Sequence, residues 1–325
     1  MSKKLLFIAV FLIVIFSFAA CNRPSRQAAG DDSINWPRNI SIVVPAAPGG
    51  DTDFNARTLA AELNQRLPPN FVVANVSGAG GSIAMRQVRD ASPDGSSVAF
   101  YHTAFVINEL SGTTDFGFEA YEFASIAAKN PGNAVTVRSN LGIRTLQELY
   151  DYTQRNPGQL RMAVQFGATS FAVGSMMQRQ GFNVNIVEAG SAAERLMALL
   201  CGHVDIILAG FGSVADYITS GELVALAMDG GNDLVVGDIQ VPSLVSAGYN
   251  IQLPFYYFFA FPPGTDRNLV NAFNAALADI IMNNPSYATV IHNTFFQEPT
   301  FFGTEEGLAI FRDIRTSLDG INFRQ

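Results

Sequence analysis

Strand-like and helix-like segments alternate from Trp36 onward, and this alternation constrains the fold more than any single motif. "NISIVVP" has the β-branched run of a strand, and "DFNARTLAAELNQRL" places Ala56, Leu59, Ala60, Leu63 and Leu67 on one helical face. "NFVVANV" reads as the next strand, "SGAGGS" leads into a helix through Val88, and "GSSVAFYHT" is a third strand. Parallel strands need crossover connections, so this order implies a parallel sheet covered by helices. A second series follows "KNPGNAVTVRSN". The helix "TLQELYDYTQRN" is stopped by Pro157 and Gly158, and after it come "QLRMAVQF", "GATSFAVGSMMQRQ", "FNVNIVEA", "SAAERLMALLCG" and "HVDIILA". The aromatic run "PFYYFFAF" reads as a buried central strand returning to the first series, and "NLVNAFNAALADIIMNN" as a late helix. The expectation is an α/β protein of two α/β domains, 36–137 with 253–325, and 138–252. Ligand-type loops at the strand ends would face a cleft between them.

The first twenty residues stand apart. Lys3 and Lys4 precede "LLFIAVFLIVIFSFAA", an apolar run of 16 residues that is short for a membrane span and ends in small residues. This is the pattern of a secretory signal peptide, residues 1–20. "FAAC" resembles a bacterial lipoprotein box, with Phe18 where a smaller aliphatic residue is usual. Cys21 is therefore the expected lipidation site, and residues 21–35 a polar tether to the folded body. An exported protein, lipid-anchored to a bacterial membrane on its periplasmic or cell-surface side, follows from this reading. Of the two cysteines, Cys201 is then left without an intramolecular partner, and its apolar helical setting predicts a buried structural thiol.

A formal charge of −8, which becomes −10 once Lys3 and Lys4 are removed, argues against nucleic acid as a partner. An acidic protein that binds an anion must do so with local dipoles and aimed donors. Two glycine loops supply these. "VVPAAPGGDTD" and "VSGAGGSIA" each run from a strand into a helix start, where free N–H groups and the helix dipole attract carboxylates or phosphates. "FGATS" offers a third such start.

Enzyme motifs fit poorly. The G-x-G of the second loop lacks the third small residue of a dinucleotide fingerprint, since Ile83 stands there. No Walker sequence occurs, and the esterase elbow around Ser82 ends in Ala84 in place of glycine. The three histidines, His102, His203 and His292, share no metal-ligand spacing, so neither a metal nor a cofactor is expected. The alternatives to a binding protein are a nucleotide-linked or serine hydrolase enzyme using "GAGGS", and a transport-inactive sensor or surface lipoprotein.

The ordered motifs carry a resemblance. Pro45, Pro48, Gly49, Gly50, Thr52 and Asp53, the "NVSGAGGS" loop and the Pro93-Asp94-Gly95 turn are similar to those of the Bug or TctC group. These are the periplasmic substrate-binding proteins of tripartite tricarboxylate transporters. "LLCGHVDIIL", "ITSGELVALAM", "VPSLVSAGYN" and "FPPGTDRNLVNAFNAAL" follow in the same order. The resemblance implies a type II periplasmic-binding-protein fold that captures a small organic acid and delivers it to membrane transporter subunits. The acid would be a dicarboxylate, tricarboxylate, aromatic acid or amino acid, and the receptor a monomer. It further implies ligand contacts from Ala47, Gly50, Thr52 and Asp53, from Gly78, Ala79 and Gly80, and from Gly167, Ala168, Thr169 and Ser170. His102 and Thr103 stand where the family has serines after the third strand, and Glu188 and Ser191 belong to an "EAGS" stretch that departs from the family pattern. Two residues have a second reading. Asp53 equally suits the helix dipole, and Glu188, which would repel an anion or welcome a ligand amine if it faces the cleft, equally suits a solvated strand end.

Overall fold

The computed structural model describes residues 34–321 and 323. The signal segment, Cys21 and all of the tether before Ile34 lie outside the described residues. The first half runs β1 (Asn39–Val44), α1 (Asp51–Leu63), β2 (Asn70–Asn75), α2 (Ser82–Arg89), β3 (Ser97–His102), α3 (Ala104–Leu110) and β4 (Glu122–Asn130). It continues with β5 (Asn133–Arg138), α4 (Leu146–Arg155), β6 (Arg161–Val164), α5 (Thr169–Arg179), β7 (Asn185–Glu188), α6 (Ala192–Leu200), β8 (Ile206–Gly210), α7 (Phe211–Thr219) and β9 (Leu223–Met228). The chain ends with the hairpin β10 (Leu234–Val236) and β11 (Ile239–Val241), then β12 (Phe255–Phe261), α8 (Arg267–Asn283), α9 (Pro285–Phe295), β13 (Glu298–Phe302) and α10 (Thr304–Ser317).

These elements build two main sheets, with strand orders β13-β4-β12-β3-β1-β2 and β7-β6-β8-β5-β9. Both are mixed, where the βα alternation predicts parallel ones. β1 pairs in parallel with β2 and β3, and β6 with β7 and β8, as the crossover helices require. β12 and β5 are each inserted antiparallel between neighbours, because each arrives from the other sheet and not over a local crossover. β5 belongs to the five-stranded sheet, although the expected first domain ran to 137. The chain leaves the six-stranded sheet at Pro131–Gly132 and returns between Asp229 and Pro254.

Local chemistry fixes the helix starts. Thr145 and Glu148 form a capping box on α4, Ser191 and Glu194 one on α6, and Asn284 caps α9 with Pro285 at its first position. In α1 the residues Ala56, Leu59, Ala60 and Leu63 are buried as their spacing demands, while Leu67 lies beyond the helix end. β12 is the interior strand its composition predicts, with both faces covered. Phe258 meets Phe105, Phe123 and Phe311 on one side, and Phe259 meets Phe100 and Phe273 on the other. Each fully buried ring removes apolar surface worth roughly 2 kcal/mol, so this strand anchors the larger core. Cys201 departs from expectation. α6 ends at Leu200, Leu199 takes the buried face, and Cys201 caps the helix with its side chain exposed.

Candidate ligand-binding cleft

The loop after β1 is braced from within. Gly49 takes φ +85° and its N–H donates to Asp53 Oδ2 at 2.9 Å. Asn75 Nδ2, from the end of β2, donates to Asp53 Oδ1 at 2.8 Å and to the Ala46 carbonyl at 3.1 Å. Arg57 closes the ring, with Nε 3.0 Å from Asp53 Oδ2 and an Nη 2.8 Å from Asn75 Oδ1. Burial raises the Asp53 pKa, but the bonds from Arg57, Gly49 and Asn75 together hold the carboxyl below the usual carboxylate range. Asp53 is thus bound back into its own loop, in a third role beside the two readings of the sequence. Ala47 and Gly49 are exposed at the loop crest, Gly50 is half-buried, and Thr52 is buried with its N–H donating to Asp51 Oδ1 at 2.7 Å.

The second loop turns the other way. Gly78, Ala79, Gly80 and Gly81 all have positive φ, and Ala79 at +45° is strained for a residue with a side chain. The Tyr101 hydroxyl donates to the Gly80 carbonyl and holds this left-handed turn over the end of β3. Thr103 is fully buried. Its hydroxyl donates to the Pro254 carbonyl at 2.8 Å and accepts the Tyr256 N–H, which ties β3 to β12. His102 packs among Tyr101, Phe255 and Tyr257, and its Nδ1 accepts the Ala104 N–H at 3.2 Å. Burial pushes its imidazole down to about 3, so it is neutral at neutral pH.

In the five-stranded sheet, Gly167 has φ +74° and Ala168 opens α5. Ser170 Oγ accepts the Gln165 N–H at 3.0 Å, and Thr169 Oγ1 lies 3.5 Å from Asn133 Nδ2. Glu188 Oε2 accepts the Phe166 N–H at 2.6 Å and Oε1 accepts the Gly190 N–H at 2.9 Å, so this carboxylate shapes the loop before Gly167. Ser191 serves α6, accepting the Glu194 N–H at 3.4 Å. Arg195 is buried behind this turn, donating to the Leu208 carbonyl through Nε and Nη2.

Three contacts bring the two sheets' loops together. A Cβ placed on Gly80 would stand 3.1 Å from the Gly167 carbonyl oxygen, and Asn108 from α3 donates to that same carbonyl. Phe211, at the start of α7, packs against Phe296 with ring centroids 5.3 Å apart. Between these, Asp51 in the first turn of α1 faces Gly210, whose Cβ position lies 3.9 Å from Asp51 Oδ2. The expected residues around Gly80 and Gly167 therefore converge, whereas Ser191 is engaged within its own turn and Glu188 is taken up by the Phe166 and Gly190 N–H groups. A separate groove of about 680 Å³, lined in part by Arg179, Gln252, Tyr256 and Asp313, holds none of the expected residues.

Sequence reasoning missed Asp51, Asn108, Asn130, Asn133 and Tyr257. Tyr257 donates to Asp51 Oδ2 at 2.6 Å, and Asn130 Nδ2 bonds both that oxygen (3.0 Å) and the Tyr257 hydroxyl (2.8 Å). "NPGN" (130–133) signalled a turn, and its two asparagines flank the point where the chain changes sheets.

The family model described as "Tripartite tricarboxylate transporter family receptor" matches residues 55–303. "Protein BugT" of Bordetella pertussis is 26% identical over 254 residues, which is 76% of this chain and 77% of that protein. Among solved structures, "R. palustris Rpa4515 with adipate" superposes with a TM-score of 0.78 at 22% identity, covering 88% of this chain and 97% of that one. "MatC (Rpa3494) from Rhodopseudomonas palustris with bound malate" gives a TM-score of 0.76 at 22% identity, covering 88% and 99%. These likenesses show the two-domain α/β fold of periplasmic binding proteins, and the family match settles the assignment. The chain belongs to the tripartite tricarboxylate transporter receptor family.

Proposed function

We propose that the chain is a solute receptor and not an enzyme, closing two lobes around a small organic carboxylate and passing it to the membrane subunits of a tripartite tricarboxylate-type transporter. The observation that carries this reading is the meeting of the Gly78–Gly80 and Gly167–Ser170 loops, each at a helix start and each from a different sheet. Helix starts offer N–H groups and a partial positive charge in loops (45–53, 76–82 and 166–170) that contain no Lys or Arg. The malate of MatC and the adipate of Rpa4515 support a carboxylate as the solute class.

The lobes of this reading are 36–132 with 253–325, and 133–252, so that β5, which the sequence expectation put in the first lobe, joins the second. Export under the signal segment, a lipid on Cys21 and action as a monomer complete the proposal. A thermal-shift screen with di- and tricarboxylates, aromatic acids and amino acids tests it. Saturation at 100 times Kd adds about 2.7 kcal/mol to stability, a readily visible rise in Tm. A screen in which every acid leaves Tm unchanged would overturn the carboxylate reading.

A further inference from the structure

The segment after α10 leaves its own lobe. α10 itself is fixed to the six-stranded sheet, with Phe311 packed on Phe118, Phe123 and Phe258, and Arg315 in its last turn pairs with Glu109 of α3 at 3.0 Å. Gly320 then takes φ +81°, a left-handed step that suits glycine and turns the chain off the helix axis. Beyond α10 the chain lies on α5, which belongs to the other sheet. Arg179 Nη1 donates to the Gly320 carbonyl at 2.8 Å, and Phe323 meets Phe171 edge-on with ring centroids 6.4 Å apart. Phe323 is 2% exposed, and it shares one apolar cluster with Phe171 and Met176 of α5 and with Ile314 and Leu318 of its own lobe.

The lobes do not pack continuously on this side. The groove of about 680 Å³ lies between Met176 and Arg179 on α5 and Ile310 and Asp313 on α10, and Ile321 forms part of its wall. The segment thus bridges a gap, where two helices packed along their length would leave none. It also reaches the cleft. Phe166 and Phe171 bracket the Gly167–Ser170 loop in sequence, and their rings meet with centroids 5.1 Å apart. Phe323 packs on one of these two rings, so it braces the base of that loop.

We propose that residues 318–323 form a strap, a third and non-covalent link between the lobes beside the two chain crossings, which holds α5 and the Gly167–Ser170 loop toward the first lobe and resists lobe separation. Its consequence for solute capture rests on the receptor reading, but the strap itself needs no solute. Separation must draw Phe323 off Phe171 and hydrate both rings, so burial of that apolar surface opposes opening. Phe323 and Arg179 are positioning residues in this account, acting on the cleft through α5.

Distances between two spin labels test it, in the full chain in mild detergent with Cys21→Ser and no solute. One label sits on Cys201, exposed in the second lobe, and the other on Ala61→Cys, exposed on α1 in the first. Phe323→Ala should shift the equilibrium toward separated lobes by at least about tenfold, read by double electron–electron resonance as a second or broadened distance peak. Arg179→Met should move it the same way by less. Arg312→Met breaks a contact to Glu119 inside the first lobe and should leave the distances unchanged. A folded Phe323→Ala protein with the parent distribution would overturn the proposal. So would equal broadening in Arg312→Met, which would mean a general loosening of α10. If Phe323→Ala does not fold, Arg179→Met decides alone, because that side chain is exposed and its loss spares the core; an unchanged distribution there overturns the strap. No solute enters these measurements, so they refute the strap without touching the receptor reading, and a thermal-shift screen that fails leaves the strap standing.

Discussion

Replacing Asp229 with asparagine should stabilise the protein at pH 8 and remove a pH dependence that the wild type carries. Asp229 follows β9 at the point where the chain passes between sheets, and it is 1% exposed. Its carboxylate accepts the Asn133 N–H at 2.6 Å and Asn133 Nδ2 at 2.8 Å, while its own carbonyl accepts the Leu253 N–H at 2.9 Å. Burial pushes the carboxyl from 3.8 up to about 7, against the downward pull of the two Asn133 bonds. Between those values the native state keeps a proton that the unfolded chain has lost. The stability due to this group is therefore fully present below pH 3.8 and declines as pH rises to about 7. A gap of about three pKa units, each worth ~1.4 kcal/mol, sets the loss at no more than about 4 kcal/mol. Asparagine cannot ionise, and a flip of the Asn133 amide would present an acceptor to the new NH2 group. Urea unfolding of both proteins at pH 5 and pH 8 isolates the effect, because other titrating groups cancel in the difference. The reasoning fails if wild type minus Asp229→Asn is the same at both pH values.

Three further outcomes follow from the geometry. Gly80→Ala places a Cβ at φ +61° and 3.1 Å from both Asn108 Nδ2 and the Gly167 oxygen, so it should cost about 1–2 kcal/mol in backbone strain. It should also weaken solute binding, measured by calorimetry, and unchanged affinity would remove this loop from the site. Tyr257→Phe takes a donor from Asp51 and partners from Asn130 and Gln297, and should lower stability by about 1–3 kcal/mol in chemical denaturation. A loss below ~0.5 kcal/mol would show that this network contributes little. Cys201 should react with a thiol reagent in the native protein, as followed by peptide mass spectrometry, because its side chain is exposed. Reaction only after denaturation would contradict that placement.

The βα grammar was legible because it rests on local periodicity. The helices from Asp51, Leu146, Thr169 and Ala192 and the strands β1, β6 and β7 fall where alternation puts them. The antiparallel insertion of β5 and β12 was not legible, since strand direction is set by a partner from the other half of the chain and leaves no trace in local pattern. The glycine loops were legible for a similar reason: positive φ at Gly49, Gly78 and Gly80 is a local demand that only certain residues meet cheaply. Asp51 was hidden by its neighbours. It sits between two glycines and a Thr-Asp pair that already had a reading, and its bonds to Asn130 and Tyr257 are facts of three-dimensional placement. Cys201 misled because helical periodicity assigns a face but does not reveal that the helix stops one residue before it.

The contact between Gly80 and Gly167 has a kinetic meaning. Main chain meets main chain there, with the Asn108 amide across the seam, so no side-chain rotation can open a path past it. A molecule crossing that seam must wait for the sheets to separate, a collective motion on the microsecond-to-millisecond scale. On the proposed receptor function, arrival and departure through it would be timed by the protein's own breathing and not by diffusion, and raising the solute concentration would not hurry the step beyond that frequency.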